Sequence, residues 1–69
     1  MKNNFLIEYT CKGKQGEILS YGIIMVKNKE NRFWALYSLQ SYLEKKHLQD
    51  FNDLVLHSCT NINEVEEIS

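Results

Sequence analysis

The sequence predicts an α+β fold: a single ββαβ domain, with a three-stranded antiparallel sheet of order 2-1-3 and one helix packed on one face. Three observations carry this prediction. Residues 4–11 (NFLIEYTC) alternate with period two, as a half-buried strand does. Ala35, Leu36, Leu39 and Leu43 recur at helical spacing within residues 32–47. The stretch LVLHSCT at 54–60 again has strand character.

In the first strand Phe5, Ile7, Tyr9 and Cys11 share one face, and Leu6, Glu8 and Thr10 the other. Two glycines within Lys12–Gly16 mark a hairpin loop, because glycine reaches positive φ cheaply. The second strand, residues 17–27 (EILSYGIIMVK), is apolar on both faces. Ile18, Ile24 and Val26 lie on one, and Leu19, Tyr21, Ile23 and Met25 on the other. A chain of 69 residues cannot cover both, so one face is expected to await a partner or a second copy. Gly22 suggests a bulge or the close approach of another backbone.

Residues 28–31 read as a turn, with Asn28 or Asn31 available to cap the helix that follows over 32–47. Lys45, Lys46 and His47 then sit where cations oppose the partial negative charge of a helix end. Residues 49–53 are expected to be a short connection. In the third strand, 54–60, Leu54 and Leu56 face one way and Val55, His57 and Cys59 the other. Residues 61–69 are acidic, and they either extend the third strand through Ile62 or fray as a tail. A right-handed crossover over the helix makes strand three parallel to strand two, which places it on the free edge of strand one.

Composition narrows the function classes. Eight basic and nine acidic residues give a net charge of -1, and six of the basic residues fall in three separate pairs, Lys12/Lys14, Lys27/Lys29 and Lys45/Lys46. That balance argues against nucleic acid as a partner. The alternative it leaves is a single-strand binder that stacks bases on Phe5, Tyr9 or Tyr21 with Lys12 and Lys14 on phosphates. The longest apolar run, Ile23–Val26, is far short of a membrane span, and the first residues lack a signal-peptide core. A cytoplasmic location with reduced Cys11 and Cys59 is the expectation.

Neither a metal nor a cofactor is expected. Only His57 and Cys59 are closely spaced, and Cys11 and Cys59 end antiparallel strands at opposite ends of the sheet. A Cys59–His57–Glu8 arrangement is the one conceivable catalytic set. Residues i and i+2 on a flat strand are about 7 Å apart, however, and KGKQG precedes a strand where a phosphate loop precedes a helix. A non-enzymatic protein is expected.

Surfaces point further. Phe33, Trp34 and Tyr37 lie off the core stripe of the helix, and aromatic rings are enriched at interfaces. In the opposing reading, Phe33 and Tyr37 fold over the sheet edge and leave only Trp34 exposed. Tyr42 is expected to border the core. Leu6, Val55 and His57 should line the sheet face away from the helix with one row of strand two; if that row is Tyr21, Ile23 and Met25, the face is an apolar patch suited to a homodimer.

The segments FLIEY, GEILSYGIIMVKNKENRFWALYSLQSYLEKKH and DLVLHSC together resemble small phage and prophage β-β-α-β proteins, a group that includes some anti-CRISPR inhibitors. The resemblance covers about residues 4–60 and rests on length, element order and the Ala35/Leu36/Leu39/Leu43 stripe. It implies a small accessory or inhibitor protein that acts by binding another protein, and it assigns no functional residue.

Overall fold

The computed structural model describes residues 2–63. Strands β1 (Asn3–Gly13) and β2 (Ile18–Lys29) form a hairpin, followed by helix α1 (Arg32–His47), a 3-10 turn (Leu48–Asp50) and strand β3 (Phe51–Asn61). The sheet order is β2-β1-β3, and both pairings are antiparallel.

Because β1 is central, its alternation sets the core. Phe5, Ile7, Tyr9 and Cys11 are buried on one face beneath Ala35, Leu39 and Leu43 of α1. Leu36 packs against this cluster from the side. Burying a single large aliphatic or aromatic side chain of this kind stabilises by about 1.5–3 kcal/mol. The helix starts where Asn31 caps it, its side-chain oxygen accepting from the Trp34 N–H at 3.1 Å. It ends at Leu48, whose N–H still donates to the Glu44 carbonyl and whose positive φ (50°) then turns the chain out of the helix.

The strands run further than their sequence patterns. Residues 51–53, expected as a connection, already pair with β1: Phe51 lies opposite Gly13 and Asp53 opposite Lys12. The physical reason is hydrogen bonding, since the end of β1 needs backbone partners on both sides. At the far end the Ile62 N–H donates to the Asn4 carbonyl, and the Asn4 N–H to Asn63 Oδ1. Asn61 of the expected tail is thus part of β3, while residues 64–69 lie outside those described.

Two bulges overturn face assignments read from strict alternation. Leu19 is an extra residue between the pairs Cys11–Ser20 and Lys12–Ile18. It packs on the core, whereas Ile18 turns to the open side, the reverse of the expected arrangement. His57 is the extra residue between Glu8–Ser58 and Tyr9–Leu56. Beyond it Cys59 pairs with Ile7 and packs on the core, so His57 and Cys59 do not share a face. Gly22 lies at neither bulge. It pairs in register with Tyr9, and empty space surrounds the position its Cβ would take. Its φ of +142° is what calls for glycine there.

Candidate interaction site

The outer surface of α1 carries a cluster of three rings. One residue advances 100° around a helix, so Phe33, Trp34 and Tyr37 fall away from the buried Leu39 stripe. Tyr37 follows Trp34 by three residues and Phe33 by four, which makes it a neighbour of both on that surface. Trp34 meets Phe33 edge-on at 5.1 Å between centroids and Tyr37 at 5.9 Å, while Phe33 and Tyr37 stack at 6.5 Å. All three stay exposed, Phe33 at 64%, Tyr37 at 58% and Trp34 at 46%. Phe33 and Tyr37 therefore do not fold over the sheet edge, and Trp34 is the most covered of the three. Tyr42 does not border the core either. It is half exposed, with the Lys46 ammonium 5.8 Å from its ring centre.

A hollow lies on each side of the cluster. The first, ≈ 300 Å³, is lined by Lys2, Asn28, Lys29, Glu30, Trp34 and Ser38. The second, ≈ 280 Å³, runs past Phe33 and includes Glu30 and Arg32. Lys2, Lys29 and Arg32 thus surround the rings against the one carboxylate of Glu30. The arrangement offers an aromatic ridge with cationic flanks.

The open side of the sheet is the second candidate. Tyr21 faces Thr10, Ile23 faces Glu8 and Met25 faces Leu6, so the exposed row of β2 is Tyr21, Ile23 and Met25. These side chains are 75%, 66% and 43% exposed. The β3 half is more polar: Ser58 opposes Glu8, and the His57 ring lies 2.8 Å from the Thr10 hydroxyl. Phe5 and Tyr9, expected alongside Tyr21 as stacking rings for single-stranded nucleic acid, are buried on the other face. No base can reach them without removal of the helix.

The Cys59–His57–Glu8 set does not assemble, because the bulge separates Cys59 from His57 and Ser58 faces Glu8. Both cysteines are free thiols. Burial raises the Cys11 pKa above its ordinary 9.0, opposed by a hydrogen bond with Ser20 and by the charge of Lys46. A contact that carries no sequence signal also emerges. Ser20 Oγ lies 3.2 Å from His47 Nε2, tying the first part of β2 to the end of α1. Among the described residues no group of three His, Cys, Asp or Glu is placed to hold a metal ion. No helix among them is long and apolar enough to cross a membrane.

Fold and surface together define a small single-domain α+β protein with one helix-covered and one open sheet face. No family model matches the chain, and no curated protein and no solved structure matches it either.

Proposed function

We propose that the protein is a non-enzymatic, cytoplasmic interaction module that binds another protein through Phe33, Trp34 and Tyr37. The observation that supports this reading is the ring cluster itself, three large aromatics held against one another in solvent on the outer face of the only α-helix among the described residues. Interfaces concentrate their binding energy in rings of this kind. The cationic flanks suit a partner that presents an apolar side chain to the Trp34 hollow and carboxylates to Lys2 and Lys29. The resemblance to small phage proteins favours an inhibitor encoded by a phage or mobile element, acting on a bacterial host or defence component.

The test is a tagged pull-down from nuclease-treated bacterial lysate with wild type and the double variant Trp34→Ala/Tyr37→Ala. The reading expects one stoichiometric protein with wild type and its loss with the variant, whose far-UV circular dichroism stays unchanged. Equal capture by both would move binding away from the helix.

A further inference from the structure

The two edges of the sheet differ in a way that the ring cluster does not explain. An edge strand exposes unpaired N–H and C=O groups and is normally blunted by bulges, charges or proline. β3 is blunted. Its bulge at His57 interrupts the ladder, and Asp53 lies on the same strand. β2 is not. Between its bulge at Leu19 and the register shift beyond Val26, residues 20–26 (SYGIIMV) pair in unbroken register with β1. This stretch contains no charge and no proline. Among the described residues no strand pairs with its outer side.

We propose that β2 is a self-recognition edge: two copies of this chain pair antiparallel along residues 20–26 and form one six-stranded sheet of order 3-1-2-2-1-3. The two-fold axis passes through Ile23, the midpoint of the regular run. Ile23 then faces Ile23 of the second copy, and Tyr21 faces Met25. All of these are exposed and on the open face, so each apolar row gains a cross-strand neighbour. On the other face Ser20 meets Val26, and Gly22 meets Ile24. Pairing residues whose numbers sum to an even total keeps like faces together, so both helices stay on one side.

Charge selects the antiparallel sense. Glu17 precedes the run, while Lys27 and Lys29 follow it. Antiparallel self-pairing sets the Glu17 end of each copy against the Lys27/Lys29 end of the other, whereas parallel pairing would stack like charges. The pairing itself uses none of Phe33, Trp34 and Tyr37, so it rests on observations separate from those behind the proposed partner site.

Sedimentation velocity of the wild type across low to high micromolar concentrations tests the proposal first. A species of twice the 8.2 kDa chain mass is expected. A monomer throughout overturns it. Ile23→Lys sets two ammonium groups face to face on the axis and is expected to give monomer with an unchanged circular dichroism spectrum. A persisting dimer would place the interface elsewhere. Register is read by cross-linking in a Cys59→Ser background. Directly opposed residues lie about 4.5–5.5 Å apart between Cα atoms, within disulfide range. Ile23→Cys should therefore form a covalent dimer under mild oxidation. Tyr21→Cys should not, because its copies are offset by about 13 Å. Cross-linking at 21 and not at 23 would overturn the register. Trp34→Ala should leave sedimentation unchanged, so loss of partner binding and loss of self-association are read separately.

Discussion

The two faces of β1 differ in composition, one apolar and aromatic and the other mixed with Glu8, Thr10 and Lys12, and they have opposite fates. Phe5, Ile7, Tyr9 and Cys11 vanish beneath α1, while Leu6, Glu8, Thr10 and Lys12 look outward beside Tyr21, Ile23 and Met25. The difference lies in α1, a single helix of 16 residues. It covers one face of the sheet and leaves the other available for contacts with a second molecule.

The sharpest way to break this contrast is to truncate side chains on each face. Ile7→Ala or Leu43→Ala should cost about 2–5 kcal/mol in urea unfolding, because each leaves a cavity under the helix. Ile23→Ala, measured below the concentration of self-association, should change stability by about 0.5 kcal/mol or less. Comparable losses at Ile7 and Ile23 would mean that the open face is covered within the monomer.

A smaller effect separates backbone from packing. Gly22→Ala meets no neighbouring atom, yet it must hold φ at +142°. A loss of more than about 1 kcal/mol is expected, with no change in the Trp34 fluorescence of the folded state. A neutral substitution would show that β2 relaxes locally. Next in size is the helix cap. Asn31→Ala removes the acceptor for the Trp34 N–H and should cost about 1 kcal/mol, whereas Asn31→Asp should nearly preserve stability.

The smallest effect is electrostatic. Burial raises the Cys11 pKa, so the unfolded thiol ionises at a lower pH than the folded one. The unfolded state then binds fewer protons, and stability declines as pH climbs past about 9. Below that range both states are protonated and the contribution is constant. Cys11→Ala should flatten this part of the stability curve relative to wild type. The same burial predicts that iodoacetamide labels Cys59 well before Cys11 in the native state, read by mass spectrometry.

Most of the architecture was readable beforehand. The element order, the 2-1-3 sheet and the helix at 32–47 follow from period two in the first strand and from the Ala35/Leu39/Leu43 stripe. Helical geometry placed Phe33, Trp34 and Tyr37 off the core stripe, but whether Phe33 and Tyr37 fold over the sheet edge, and how the three rings pack, were left open by it. The apolar second strand was ambiguous because both of its rows are hydrophobic, and alternation cannot rank them.

The sequence by itself determined which elements form, which face of β1 builds the core and where the helix begins and ends. Each of these depends on residues within one or two turns or one strand of each other, and local spacing encodes that. Only the tertiary structure decided that Leu19 turns inward, that Cys59 parts from His57, that Ser20 meets His47 and that Tyr21, Ile23 and Met25 stay in the open. Those outcomes hang on bulges, in which one strand carries an extra residue relative to its neighbour. A bulge is a relation between two strands, and for β1 and β3 the strands lie some fifty residues apart along the chain.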